Sequence, residues 1–227
     1  MKSSVIIFPG SNCDRDMSVA LTKFGFKNKM VWHNDNDLPE SDLVVLPGGF
    51  SYGDYLRSGA IAKFSPIMEQ IIGFAKSGGY VMGICNGFQI LCESGLLPGA
   101  LLHNTSHSFI CKNIYLKTIN RDTLITNMYE EDPIKIPIAH GEGKYFAKQE
   151  TLDSLMINNQ ILFKYCDSEG NINETGNPNG SVENIAGICN KEYNVFGMMP
   201  HPERAADKEL NNIDGRLLFN SILNSFI

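Results

Sequence analysis

The sequence predicts an α/β fold, a mostly parallel central sheet flanked by helices and carrying an antiparallel extension. Three observations point to it. Short apolar runs alternate with helical patterns from Val5 to Cys92. Two of those runs close on glycine turns, Pro47-Gly48-Gly49 and Gly83-Ile84-Cys85-Asn86-Gly87. From Leu101 to Ile138 the pattern shifts to strand-like segments, which reads as the extension. Strands separated by single helices imply right-handed crossovers and parallel pairing.

In order, Val5–Phe8 reads as a strand and Asp14–Phe24 as a helix, with Asp14 as its cap and Gly25 as its stop. Lys29–His33 and Leu43–Leu46 are strands, and Ala60–Lys76 has a helical pattern ending at Gly78-Gly79. The strand Val81–Ile84 runs into a helix that starts at Phe88. Phe109–Ile119 and Ile134–Ile138 are strand-like, with Thr123–Tyr129 between them. Asp167–Asn184 is rich in Asn, Gly, Ser and Glu and reads as a long hairpin or loop. Val195–Met199 is a buried strand. Asp214–Phe226 is an amphipathic helix with Leu217, Leu218, Ile222 and Phe226 inward. No repeat or linker divides the chain, so a single domain over residues 1–227 is expected.

The composition narrows the function classes. A chain of 227 residues with 43% hydrophobic and 19% charged residues is an ordinary globule with a full core. A net charge of −6 without a Lys/Arg cluster argues against a nucleic-acid partner. No apolar run reaches the length of a membrane span, and Met1-Lys2-Ser3-Ser4 leads directly into a strand without a signal peptide. The six cysteines show no C-x-x-C pair, so reduced thiols and a cytoplasmic location are expected.

The chemistry gathers at three motifs. Gly83-Ile84-Cys85-Asn86-Gly87 has the form of a nucleophile elbow with sulfur in place of oxygen. Side chains at the two glycines would collide as strand and helix approach, and the turn sets the thiol at a helix N-terminus, which favours thiolate. The N–H of Asn86 is then a candidate oxyanion donor. Far downstream, Pro200-His201-Pro202-Glu203 follows an apolar strand. Pro202 biases His201 towards extended backbone, so the His201 and Glu203 side chains project to one side and the carboxylate can orient the imidazole as a base. The other reading is a surface histidine with Glu203 paired to Arg204. Pro47-Gly48-Gly49 closes a strand on the carboxyl edge of a parallel sheet, where Gly49 can offer a second backbone donor. An ordinary strand-to-helix turn looks the same.

With these motifs in this order, the chain resembles the triad-type (class I) glutamine amidotransferases, whose fold is flavodoxin-like. Pro9-Gly10-Ser11-Asn12-Cys13-Asp14, Gly48-Gly49-Phe50-Ser51-Tyr52-Gly53-Asp54-Tyr55-Leu56-Arg57, Ala139-His140-Gly141-Glu142-Gly143 and Gly197-Met198-Met199-Pro200-His201-Pro202-Glu203-Arg204 resemble more narrowly the small glutaminase subunits of bacterial phosphoribosylformylglycinamidine synthases. The resemblance implies Cys85, His201 and Glu203 as catalytic residues, with Gly49 and Asn86 as the oxyanion hole. It implies Gly48, Phe50, Gln89, His140 and Gly141 against bound glutamine. It further implies no cofactor or metal on this chain, a large synthetase subunit holding ATP and magnesium, and a small bridging subunit. The Phe50–Arg57 segment is a candidate docking surface. Three other readings are kept: a glutaminase serving a different synthetase, a free-standing γ-glutamyl hydrolase, and a silent module that only binds.

The remaining candidates have plain alternatives. His140 either lines the pocket or makes a structural hydrogen bond, and Gln89 either reaches the ligand or is a solvated helix residue. His33 fits a sheet edge or an interface. The polar run His103-Asn104-Thr105-Ser106-His107 has no Cys or carboxylate at ligand spacing, which disfavours zinc. Cys92 reads as core, and Cys13 as structural or interfacial.

Overall fold

Val5, Ile6, Leu43, Val44, Val45, Leu46, Val81 and Met82 are each 0% exposed. Strands with both faces covered by helices need such unbroken apolar runs. The computed structural model describes residues 1–226. Its first half runs β1 (Lys2–Ile7), α1 (Asp14–Lys23), β2 (Lys27–Trp32), β3 (Leu43–Leu46), α2 (Pro66–Lys76), β4 (Tyr80–Ile84) and α3 (Asn86–Glu93). The middle adds β5 (Ala100–Leu102), β6 (Ile110–Thr118), β7 (Ile134–His140), β8 (Lys144–Phe146) and α4 (Gln149–Ile157). The chain continues through β9 (Ile161–Cys166), β10 (Ile185–Cys189), β11 (Val195–Met198) and α5 (Arg216–Asn224).

Nine strands form one sheet in the order β2-β1-β3-β4-β11-β10-β9-β6-β7. The pairs from β2 to β11 are parallel, and those from β11 to β7 are antiparallel. The parallel half and its extension are therefore halves of a single sheet, joined where β11 pairs with both β4 and β10. The carboxyl ends of β1, β3, β4 and β11 share one edge and carry Cys13, Gly48, Cys85 and His201 respectively. Between β1 and β3 the strand order reverses, which is where open α/β sheets form their crevice. Of the edge strands, β2 exposes Lys27 and Lys29 beside Met30 and Trp32, and β7 contains Pro137.

Several local expectations are corrected. The Ala60–Lys76 helix is broken at Ser65, which is extended (φ −64°, ψ 140°) between a short turn over Ala62–Phe64 and α2. Pro66 causes this, because its ring disfavours helical backbone in the preceding residue. Asp14 is the first residue of α1 and Cys13 takes the cap position, without a side-chain capping bond. Phe226 is 43% exposed, with its ring edge-on to Tyr80, because α5 ends at Asn224 and its buried face is Leu218, Phe219 and Ile222. The β5–β8 ribbon and α4 have no counterpart in the expected elements. His33 hydrogen-bonds through Nδ1 to the Tyr52 hydroxyl at 2.8 Å.

The Asp167–Asn184 loop is held by its own side chains. Asp167 accepts from the Glu169 and Asn171 amides and from Asn173 Nδ2. Asn179, 1% exposed, donates to the Gly143 carbonyl at 2.8 Å, and Ser181 Oγ accepts from the Tyr145 amide at 3.0 Å. The loop thus buttresses the Gly141–Gly143 turn that follows β7.

Among the described residues no helix is long and apolar enough to cross a membrane. All six cysteines are free thiols, and only Cys111 is exposed.

A buried polar tie closes α2 onto the sheet. Asn194, 4% exposed, donates from Nδ2 to the carbonyls of Ala75 (2.7 Å) and Gly79 (2.8 Å). Asn194→Ala removes both bonds, although the Ala75 carbonyl keeps the Gly78 amide at 3.0 Å. The expected loss is about 2 kcal/mol in urea unfolding, a lost buried hydrogen bond costing roughly 1 kcal/mol and an orphaned acceptor roughly 1–3 kcal/mol.

Candidate active site

The elbow depends on two missing side chains. A Cβ on Gly87 would lie 1.9 Å from the Leu46 carbonyl oxygen, and one on Gly83 would lie 2.6 Å from the Gly87 backbone. Their absence lets α3 pass directly over the end of β3. Cys85 absorbs the turn with φ 51° and ψ −106°, a strained geometry for a residue with a side chain. Its amide donates to the Met198 carbonyl at 2.8 Å, and its thiol, 4% exposed, faces the Ala139 carbonyl at 3.7 Å.

His201 reaches the same place from β11. Its amide is anchored on the Pro137 carbonyl (2.8 Å), and its Nδ1 lies 2.6 Å from Glu203 Oε1, with both residues buried. The surface pairing of Glu203 with Arg204 is not what forms. Arg204 instead donates from Nε to Asp16 (3.0 Å) and from Nη2 to the Cys13 sulfur (3.1 Å). His201 Nε2 and Glu203 Oε2 are buried without a protein partner. Burial is the largest influence on the His201 pKa and depresses it. The Glu203 carboxylate and then the Cys85 and Cys13 thiols outweigh burial and hold the pKa well above its ordinary value.

Gly48 is where these groups meet. A Cβ there would stand 2.6 Å from His201 Cε1, 3.1 Å from Cys13 Sγ and 3.4 Å from Cys85 Cβ. Gly49 (φ +142°) bridges to Ser11, and a Cβ on it would lie 2.7 Å from the Asn12 nitrogen. Cys13, Cys85, His201 and Gly48 are thus brought together, with Gly49 and Asn86 adjoining them along the chain. A cavity of about 680 Å³, lined in part by Ala139, Pro137, His201, Arg204 and Lys135, adjoins the histidine.

The residues expected against the ligand fall into two groups. His140 is buried, with Nδ1 bonded to Asn104 Oδ1 (3.1 Å) and Nε2 unpartnered. Burial, helped by the neighbouring His201, pushes its pKa down to about 4, so it is neutral at pH 7. One nitrogen of His140 makes the structural hydrogen bond, and the other is buried without a protein partner. Phe50, 41% exposed, stands beside Phe109 with ring centroids 6.1 Å apart, and Phe109 lies next to Gly141. These three line a partly exposed lip. Gln89 is not the solvated helix residue of one reading. It is 5% exposed, its Nε2 donates to the Glu142 carbonyl (2.6 Å), and its Oε1 accepts from Asn86 Nδ2 (2.8 Å). The amide thus ties α3 to the turn after β7 and keeps one N–H and one oxygen lone pair unused.

Sequence reasoning read Cys13 as structural or interfacial and missed Asp54 and Phe109. Asp54 lies 3.4 Å from Asn86 Nδ2 in a segment where Tyr52, Asp54 and Leu56 all have positive φ. The Gly-Tyr-Asp composition of that segment was the available signal for left-handed turns. Burial raises the Asp54 pKa to about 6, a Ser58 hydrogen bond opposing and the Glu142 carboxylate adding to the rise. For metal binding, Cys13, His201 and Glu203 place donor atoms within 4.8 Å of one another. The guanidinium already on the Cys13 sulfur disfavours a cation there. His103 and His107 lie 6.2 Å apart by ring centroid, with His103 Nε2 3.6 Å from Glu142.

Known proteins align with this arrangement. Residues 1–218 match the CobB/CobQ-like glutamine amidotransferase domain. The phosphoribosylformylglycinamidine synthase subunit PurQ of Pelagibacter ubique is 58% identical over 225 residues, covering 99% of each chain. The same subunit of Chlorobium chlorochromatii is 54% identical, covering 97% of this chain and 95% of its own. In the structure of PurLQS from Thermotoga maritima, one chain superposes with a TM-score of 0.88 at 45% identity, covering 100% of this chain and 99% of that one. A glutamine amidotransferase of Thermotoga maritima at 16% identity shares the fold, with a TM-score of 0.58.

Two outcomes follow from the geometry. Gly87→Ala forces a Cβ into the Leu46 carbonyl and is expected to cost about 3 kcal/mol or more in urea unfolding. Asp54 has a folded pKa (about 6) above its unfolded value of 3.8, so its contribution is fully present below 3.8 and is lost as pH rises through 6. Asp54→Asn imitates the protonated form. Its urea midpoint should exceed that of the native chain at about pH 7.5, with the difference shrinking towards about pH 4.5.

Proposed function

The chain belongs to the CobB/CobQ-like glutamine amidotransferase family, and on that premise we propose that it is the glutaminase subunit of a phosphoribosylformylglycinamidine synthase. The observation that carries the chemistry is the buried His201–Glu203 pair, 2.6 Å apart, beside a strained elbow cysteine. In the reaction, Cys85 sulfur attacks the side-chain amide carbon of glutamine. The developing oxyanion is met by the N–H groups of Gly49 and Asn86. His201, oriented and charge-balanced by Glu203, gives its proton to the departing ammonia, leaving a γ-glutamyl thioester on Cys85. His201 then takes a proton from water as it attacks the thioester, and glutamate leaves.

The states of the two histidines suit this division of work. The raised pKa of His201 keeps a proton available for the leaving group. Neutral His140, with an unpartnered Nε2, offers a hydrogen bond to bound glutamine without competing for that proton. Gly48, Gly141 and the Phe50 lip would bound the ligand, and Gln89 would join through the N–H or oxygen lone pair its protein bonds leave unused.

The ammonia is passed to a large synthetase subunit that binds ATP and magnesium and converts formylglycinamide ribonucleotide to formylglycinamidine ribonucleotide. A small bridging subunit completes the assembly. The docking surface on this chain is the segment after Gly49 and its surroundings, where Tyr55 (74%), Leu56 (92%) and Phe64 (78%) are exposed. Apolar side chains that exposed, next to the candidate oxyanion donors, suit an interface that acts on the site.

The test is glutamate release from glutamine by the chain alone and with both partner subunits and their ligands. Low activity alone and strong activity in the assembly is expected. High activity alone, unchanged by the partners, would remove the synthase assignment. Cys85→Ala should lose glutamine-dependent synthesis by about 10³-fold or more while synthesis from free ammonium persists.

A further inference from the structure

Cys13 is a second thiol at the candidate site, and the chemistry above does not use it. It is 3% exposed and sits at the start of α1, on the β1 side of the crevice. Its sulfur accepts from Arg204 Nη2 at 3.1 Å and its S–H donates to Asn12 Oδ1 at 3.3 Å. It lies within 4.8 Å of donor atoms of both His201 and Glu203. The bare Cα of Gly48 leaves the room in which sulfur and imidazole meet.

We propose that Cys13 is a positioning residue for the His201–Glu203 pair, its sulfur walling the imidazole on one side and fixing the Arg204 guanidinium on the other. The geometry gives it leverage. Arg204 follows Glu203 in one short helical turn, its amide donates to the His201 carbonyl (3.2 Å), and its Nε is held by Asp16 of the first turn of α1. Cys13 and Asp16 together clamp the turn that carries the pair to the N-terminus of α1. Glu203 Oε2 is buried without a hydrogen-bond partner, so the carboxylate relies on its surroundings to stay in place. The unpartnered His201 Nε2 must likewise be kept facing Cys85 by packing rather than by a bond.

The groups facing His201 are Glu203 from its own turn, Cys13 from the start of α1, Cys85 from the elbow and His140 from β7, while Arg204 faces Cys13 and Asp16. The Cys13 sulfur packs within 4.8 Å of a ring nitrogen of His201 without bonding it, and it stands with Glu203 and Cys85 among the groups that favour the protonated ring. Removing the Cys13 sulfur should therefore ease proton loss from His201, whereas a residue that only filled space would leave it unmoved.

The experiment is the pH profile of Cys85 alkylation by iodoacetamide on the whole chain, read by mass spectrometry, for the native protein, Cys13→Ala and Cys13→Ser. The rate has a step where His201 loses its proton, because the charge beside Cys85 changes there. Cys13→Ala is expected to move that step down by about half a pH unit or more. It should also lower kcat for glutamine in the assembled synthase about ten-fold, with KM within about two-fold. Cys13→Ser keeps an acceptor for Arg204 and should recover most of both effects. If Cys13→Ala does not fold, Cys13→Val fills the space without an acceptor and carries the same expectation. A step left at its native pH in a folded Cys13→Ala or Cys13→Val overturns the proposal. The kcat arm rests on the glutaminase reading, but the alkylation arm needs no glutamine, so failure of one is distinguishable from failure of the other.

Discussion

The architecture of the site depends on backbone approaching backbone where side chains are missing. α3 can leave β4 only by crossing the end of β3 at Gly87, and the imidazole can reach the elbow only across Gly48. Each contact is closer than a Cβ would permit, so strand ends from distant parts of the chain converge on one small volume. That convergence also explains how Cys85 can be held at φ 51°. A strained residue persists where its neighbours over-determine it, and the bond from its amide to Met198 fixes it from the far strand.

Within that volume, ionisable groups with little water are held in different states by their particular neighbours. His201 keeps its proton because a carboxylate and thiols overcome the effect of burial. His140 loses its proton because burial is reinforced by a second histidine. Asp54 leans towards the neutral form beside Asn86 for a related reason, burial near another carboxylate. Two imidazoles in one site thus become a proton carrier and a neutral hydrogen-bonding group without any difference in their intrinsic chemistry.

The parallel half of the sheet and the elbow were legible in the sequence because their signals are local. Leu43–Leu46 was expected over the residues it occupies, and the collision argument for Gly83 and Gly87 is visible in five consecutive residues. What escaped depends on partners remote in the chain. Nothing near Cys13 shows that Arg204 and His201 will arrive beside it, and nothing near Gln89 shows that the Glu142 carbonyl will take its amide. α4 has only two buried residues, Leu152 and Leu155, too few to impose a periodic pattern. The break at Ser65 was readable from Pro66 and yielded to the stronger apolar periodicity around it.

The two edges of the sheet have a consequence for behaviour at high concentration. An open sheet ends in unpaired backbone groups that invite a second copy to add a strand. Here β2 presents Lys27 and Lys29 at one end, and β7 interrupts the other with Pro137, which lacks an N–H. The Pro137 carbonyl is meanwhile taken by the amide of His201. One residue therefore serves both colloidal stability and the placement of the imidazole. With the Lys135 amide and carbonyl also taken, by Asp214 and Asn212, the outer side of β7 is closed to a second copy by the same stretch of chain that carries the reactive histidine.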